Sequence, residues 1–192
     1  VVTTFGRNDV VWNPSTGAVV YRFRDGAPTK SVSWSSDSKY IASANANGAV
    51  QVWNAHTGQV IFQQQTNGQG YAAWAPSGMV IAFSTNNGSG KDGNPFVEVW
   101  NVTTKTQIAS YTGSVDGPLV WSPDGKEIAS GNGGDNIAIW DATTGTLLYT
   151  FTQQGGFVLS LAWSPDSKYI VSGSSSVSSS TGGGSYARVW IA

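Results

Sequence analysis

Nine tryptophans divide into two interleaved series, and their spacing constrains the fold more than any other feature of the sequence. The steps from the first series to the second are 22, 21, 21 and 23 residues, and the steps back are 19, 26, 19 and 27. One half of the repeat is therefore nearly constant, while the other gains about seven or eight residues in alternate copies. The first series is Trp12, Trp53, Trp100, Trp140 and Trp190, and the second is Trp34, Trp74, Trp121 and Trp163.

Each copy of the repeat contains four short apolar segments, which predict four strands that we label a to d. Strand a ends on a second-series tryptophan and leads into a Ser/Pro/Asp/Gly turn such as WSPDGK, which favours a hairpin to strand b. Strand c ends on a first-series tryptophan, and strand d follows the next turn. Repeats of 40 to 47 residues with four antiparallel strands are typical of β-propeller blades. We predict an all-β propeller of four-stranded antiparallel blades, with 18 strands in about 4.5 blades.

The motifs VWNAHTG (52–58), VWNVTTK (99–105) and IWDATTG (139–145), together with the WSPDGK-type turns, resemble the WD-repeat β-propeller family over essentially the full chain. The Trp-Asp pair survives at Trp140-Asp141 and is Trp-Asn in three other copies, a degeneracy that looks bacterial. Many members of the family bond a Gly-His histidine to a Ser/Thr, the tryptophan and an aspartate of the b–c turn. That dipeptide is missing here, so Asp135 has no such histidine, and we expect apolar packing and turn geometry to hold the blades together instead.

The strand count predicts one propeller domain or fragment with an incomplete blade at each end. The predicted limits are a partial blade at 1–23, blades at 31–64, 70–112 and 118–151, and a partial blade at 157–192. Seven blades is the favoured size of the complete ring, with five, eight or an oligomeric assembly as alternatives. An open fragment exposes unpaired strand edges and is expected to associate with further copies or with a complementary half.

Composition excludes several classes of function. Ten basic and eleven acidic residues give a net charge of −1, which provides no field for nucleic acid, and no apolar run is long enough to span a membrane. Cysteine is absent, and the single histidine, His56, reads as a solvated residue of a c–d turn. Asp92, Gly93 and Asn94 resemble part of a calcium loop, but the rest of that pattern is missing. We therefore predict no catalytic residues, no cofactor and no metal, and hence a protein that is not an enzyme.

The resemblance implies that the d–a and b–c loops lie on one face around a central channel. Both long insertions, within 85–95 and 173–185, fall in b–c loops, and variable loops on a rigid scaffold favour binding. The tryptophans are interpreted as structural. The candidate partner-binding residues are Arg24, Asp25, Asn67, Gln69, Tyr71, Asn87, Lys91, Asp92, Asn94, Asp116, Gln154 and Phe157.

These features favour a non-enzymatic scaffold or sensor module that binds a protein or peptide through its loop-bearing face. One alternative is a self-assembling propeller fragment that completes a ring with further copies or a missing half. Another is a lectin-like glycan binder, which the aromatic residues and neutral polar loops would suit. The absence of cysteine and the low charge slightly favour an extracytoplasmic setting.

Overall fold

The structure is a computed structural model that describes residues 1–66, 68–85, 96–113, 115, 117–131, 136–152, 156–175 and 185–192. These residues form eighteen strands and no helix, so none of them belongs to a helix able to cross a membrane. The strands are β1 (Val2–Phe5), β2 (Asn8–Trp12), β3 (Val19–Arg24), β4 (Thr29–Trp34), β5 (Tyr40–Asn45), β6 (Ala49–Asn54), β7 (Val60–Gln65), β8 (Ala72–Trp74), β9 (Val80–Thr85), β10 (Phe96–Asn101), β11 (Thr106–Thr112), β12 (Leu119–Trp121), β13 (Glu127–Gly131), β14 (Asn136–Asp141), β15 (Leu147–Thr152), β16 (Phe157–Trp163), β17 (Tyr169–Ser175) and β18 (Ser185–Ile191).

The strands form five antiparallel sheets in which sequence neighbours pair. Three sheets have four strands, β4–β7, β8–β11 and β12–β15, and contain all of strands a to d. The first sheet, β1–β3, contains strands b to d, and the last sheet, β16–β18, contains strands a to c. The predicted all-β fold, its four-stranded antiparallel sheets and its eighteen strands are thus confirmed.

The a–b hairpins are closed by the serine and aspartate of the repeated turn. The hydroxyl of Ser35 donates to Asp37 Oδ1 at 2.7 Å and accepts from the Tyr40 amide at 2.9 Å, while Ser38 adopts a φ of 58°. Ser122–Asp124 and Ser164–Asp166 form the same hydroxyl–carboxylate contact at 2.8 and 2.6 Å. The hydroxyl–carboxylate bond and the amide of the residue two positions on lower the pKa of each of these exposed aspartates.

The c–d turns explain why asparagine replaces aspartate after the tryptophan without loss of structure. Asn54 Oδ1 accepts from the backbone amides of His56 and Thr57 at 2.9 and 3.0 Å. Asp141 accepts from the two equivalent amides at 2.9 and 2.7 Å. Either side chain supplies the acceptor oxygen that this turn requires. His56 lies in this turn and is exposed.

Neighbouring sheets are held together by contact between the strand c tryptophan of one sheet and a strand d aromatic of the sheet before it. Trp53 is fully buried and stacks on Phe23 with ring centroids 4.5 Å apart. Tyr111–Trp140 and Phe151–Trp190 stack in the same way at 5.7 and 5.2 Å, whereas Phe62 and Trp100 meet edge to face at 5.8 Å. The four apolar clusters of the described core each combine residues from two or more adjacent sheets.

The indole N–H of each strand c tryptophan also donates a hydrogen bond. The sequence led us to expect that apolar packing and turn geometry alone hold the blades together, and this hydrogen bond corrects that expectation. Trp53 donates to the Ser43 hydroxyl at 3.3 Å. Trp12, Trp140 and Trp190 donate to Thr3, Ser130 and Ser172 at 2.8, 2.9 and 2.9 Å. A hydroxyl from strand b therefore persists as the acceptor although the Gly-His histidine is absent.

The third sheet departs from this pattern, because Phe83 occupies the strand b position of the hydroxyl. Trp100 Nε1 instead donates to Glu98 Oε2, two residues earlier on β10, at 2.5 Å. Burial raises the pKa of the Glu98 carboxyl, and the indole hydrogen bond opposes that rise. A carboxylate thus replaces the hydroxyl as the acceptor at this interface.

Replacing Trp53 by alanine should lower the free energy of unfolding by about 3–5 kcal/mol, because a fully buried indole and its stack on Phe23 are both lost. Leu148→Ala is the control, since that side chain is exposed on β15 and should change stability by about 0.5 kcal/mol or less. Urea denaturation followed by circular dichroism measures both. Equal losses in the two variants would contradict the structural role of the tryptophan.

Replacing Glu98 by glutamine should remove a pH-dependent loss of stability. A carboxyl whose pKa is raised on folding binds more protons when folded, so its contribution falls as pH rises through the window between its unfolded and folded pKa values. Glutamine still offers an oxygen to Trp100. The thermal midpoint of E98Q minus that of the parent chain should therefore grow as the pH is raised from below to above the ordinary glutamate pKa of about 4.3. A difference that stays constant over this range would contradict the prediction.

Candidate functional site

The d–a loops and b–c turns lie together at one end of the sheets, as backbone hydrogen bonds between them show. The Asp25 amide donates to the Arg7 carbonyl at 3.1 Å, and the equivalent Thr66 amide donates to Gly48 at 2.8 Å. The Ala46 amide in turn donates to Pro28 at 2.8 Å. We call this end the loop face. Cross-bonding of this kind gives the described loops a fixed position on the sheets.

The predicted partner-binding residues that the structure describes differ in their exposure. Arg24, Gln69 and Phe157 are exposed, with Phe157 at 54%. Tyr71 is half-buried, and its amide is bonded to the Ser84 hydroxyl at 3.0 Å. Asn67, Asn87, Lys91, Asp92, Asn94, Asp116 and Gln154 lie outside the described residues, as does Asp135.

Asp25 is a correction to the predicted set, because it is buried and does not face a partner. Its carboxylate accepts from the Thr29 hydroxyl at 3.0 Å and from Asn45 Nδ2 at 3.3 Å. Burial raises the pKa of Asp25, while hydrogen bonds from Thr29, Asn45 and Ser43 oppose the rise. Asp25 therefore ties the first d–a loop to the end of β5 and has an internal role.

A groove of about 360 Å³ runs along the inner strands β4, β8 and β12, from the loop face towards the a–b turns. Its lining combines hydroxyl groups, small apolar side chains and aromatic rings, and no charged residue takes part. The lining residues are Ser31, Val32, Ser33, Tyr71, Ala72, Ala73, Trp74, Pro76, Pro118, Leu119, Val120, Trp121, Ser122 and Pro123. We call it the inner groove.

The inner strands are linked to one another through side chains, which shapes the groove wall. Ser31 and Ser33 accept hydrogen bonds from the amides of Ala72 and Trp74 at 2.8 and 3.1 Å. Trp121 Nε1 donates to the Ala73 carbonyl at 3.3 Å. Sequence reasoning did not single out these serines. Their alternation in SVSW on an inner strand was the available signal, because alternate residues of a strand share one face.

An exposed apolar surface lies on the last sheet. Val171, Val189 and Ile191 are 42%, 70% and 77% exposed, and Val171 pairs directly with Val189 in the register of β17 and β18. The opposite face of the sheet, with Ile170 and Trp190, packs against the preceding sheet. We call the exposed residues the outer apolar face.

The inner groove is lined by neutral residues. Where the structure describes the chain, no group of three or more histidine or acidic side chains that could hold a metal is found. The turn aspartates lie in the a–b hairpins, engaged with their own serines.

The sheets, with strand d stacked against strand c of the next sheet and strand a lining an inner groove, define a β-propeller. This chain belongs to the WD40 repeat family, because residues 18–54, 106–141 and 145–190, together more than half of the chain, match the family described as WD domain, G-beta repeat. The resemblance seen in the sequence is thus confirmed. WD40 propellers generally serve as protein-interaction scaffolds, are typically non-enzymatic and commonly bind protein partners.

Two solved structures illustrate the likeness of the fold. A chain in the crystal structure of the mitotic checkpoint complex is 24% identical with a TM-score of 0.75, over 90% of this chain and 53% of that chain. The β-propeller domain of Myceliophteria thermophila Cps50 (Swd1) is 16% identical with a TM-score of 0.75, over 91% of this chain and 60% of that chain. This chain spans between half and two thirds of the length of both.

Proposed function

We propose that this chain is a non-enzymatic interaction module that binds an extended, largely uncharged peptide segment of a partner protein at the loop face and along the inner groove. The observation that carries the proposal is the neutral lining of that groove, in which Tyr71 and Trp121 stand among serine hydroxyls. Aromatic residues with hydroxyl groups offer both apolar contact and hydrogen bonds to a peptide, and charged residues are typically depleted from the centre of an interface.

The composition of the loop face supports the same assignment. Arg24, Gln69 and Phe157 are exposed on that face. Arginine and aromatic residues are enriched in protein interfaces. The backbone bonds between loops and turns preorganise this surface, which lowers the entropy lost on binding.

Replacing Tyr71 by serine should weaken peptide binding by about 30-fold or more, the loss expected when an aromatic anchor worth about 2 kcal/mol is removed. A random peptide library displayed on phage is selected on the parent chain, and enriched peptides are measured by fluorescence polarisation. Tyr149→Ser is the matched control, because Tyr149 is 53% exposed on strand d, away from the groove. Failure to enrich peptides, or equal affinity of both variants, would contradict the proposal. A glycan array run on the same chain tests the lectin-like alternative.

The outer apolar face favours a second candidate function, self-assembly with further copies or with a complementary propeller half. Contiguous exposed aliphatic side chains on a sheet are a typical association surface. We expect light scattering to show a mass that rises with concentration, and Val189→Lys to suppress that rise. Leu148→Lys, an exposed position on another strand, is the control and should not. A single monomeric mass at every concentration in the parent chain would exclude self-association.

A further inference from the structure

Asp9 places a carboxylate at a position that is part of the apolar core in the three four-stranded sheets. It lies three residues before the strand c tryptophan, where the equivalent residues Val50, Val97 and Ile137 are all fully buried. Asp9 is also 0% exposed. The repeat therefore provides an internal comparison, in which one sheet carries an acid where three carry an aliphatic side chain.

Neither carboxylate oxygen of Asp9 accepts a hydrogen bond from the described residues. A buried carboxylate without a partner is costly, and proteins normally pair such a group with hydrogen-bond donors, a cation or a proton. Burial raises the pKa of Asp9 to about 7; the nearby Thr29 hydroxyl opposes this rise, and the charge of Asp25 adds to it. When Asp9 is ionised, its carboxylate therefore requires a positive partner that the described side chains do not supply.

A second buried carboxylate lies beside it. Asp25 is 7% exposed, and it interacts electrostatically with Asp9. The hydroxyl group of Thr29 has one hydrogen, and it donates that hydrogen to Asp25 Oδ2 at 3.0 Å. The Thr29 hydroxyl oxygen is therefore near both acids but has no hydrogen left to donate to Asp9. Two acids and one hydroxyl oxygen therefore share a small volume between β2 and the first d–a loop.

The facing sheet contributes another oxygen without a partner. Gln51 Oε1 is buried and accepts no hydrogen bond from the described residues. Gln51 shares a face of β6 with Trp53, which stacks on Phe23 of the first sheet, and in register it opposes Ser43, whose hydroxyl also acts on Asp25. The unpartnered oxygens of Asp9 and Gln51 thus belong to the same layer between the first two sheets.

We propose that Asp9, Asp25 and Gln51, with the Thr29 hydroxyl, bind one Ca²⁺ ion between the first two sheets. Calcium takes six to eight oxygen ligands from carboxylates, amide carbonyls and water with flexible geometry, and two carboxylates balance its charge. Magnesium demands a stricter octahedron and retains its waters, and the later transition metals prefer nitrogen or sulfur ligands, which this cluster lacks. The ion would join β2 to the loop face independently of peptide binding in the groove.

The test is a titration of the full chain, freed of metal with EDTA, with CaCl₂ alone. Isothermal calorimetry should show one ion per chain, and the thermal midpoint should rise by several degrees when calcium is added. Terbium, a luminescent substitute for calcium, should emit on excitation of tryptophan, because Trp53 is bonded to the same Ser43 hydroxyl that faces Asp25.

Asp9→Val, which installs the residue of the equivalent position 50, should abolish binding and the calcium-dependent thermal shift while keeping the β-sheet circular dichroism spectrum. Asp166→Asn, an exposed turn acid in the last sheet, is the matched control and should bind calcium as the parent does. If the valine variant fails to fold, Asp25→Asn provides the same comparison, because an amide still accepts from Thr29. No stoichiometric binding by the parent chain, or undiminished binding by both site variants, would overturn the proposal.

Discussion

The contact between a strand c tryptophan and a strand d aromatic of the preceding sheet is the interaction on which the rest of this structure depends. A sheet with one bare apolar face is not independently stable, and stacking successive sheets buries those faces. In four of the five sheets the indole has a second function, because its N–H donates to a hydroxyl on strand b of its own sheet. One side chain therefore joins two strands within a sheet and two sheets to each other. The polar half of this contact persists without a Gly-His histidine, because the serine or threonine acceptor lies on the neighbouring strand.

This arrangement separates the part of the molecule that must be constant from the part that is able to vary. The stacking residues occupy the outer strands c and d, whereas the inner groove is built from strand a and the loop face from the ends of the strands. Ser31, Ser33 and Tyr71 of the groove take no part in that stacking, although the two serines bond the neighbouring inner strand. The cross-bonds between d–a loops and b–c turns hold the described part of the loop face in place, which favours recognition by a preformed surface.

The strands and turns were predictable because the residues that determine them lie close together in the sequence of each repeat. The tryptophan spacing, the Ser-x-Asp turn and the Asn or Asp after the tryptophan each act within about ten residues, and the structure shows the bonds they form. The burial of Asp25 and the acceptors of the indoles were not predictable in the same way. They depend on which residues face one another across two sheets, and in one sequence without further information a loop aspartate looks like any exposed acid.

Comparison of equivalent positions in the five sheets nevertheless identifies the residues whose chemistry departs from that of the repeat. Glu98 and Asp9 both bring a carboxylate into an interface that is otherwise apolar or hydroxyl-bearing, yet their surroundings differ. Glu98 receives the indole N–H that its own sheet has left without a hydroxyl, so the acid compensates for Phe83. Asp9 does not complete the repeated hydrogen bond of its sheet, because Trp12 already donates to Thr3. The hydroxyl hydrogen of the nearby Thr29 is donated to Asp25, and both carboxylate oxygens of Asp9 are left without a hydrogen bond from the described residues. An acid that completes the repeated hydrogen bond is explained by the fold, whereas an acid that remains unpartnered in the core points to a ligand outside the chain.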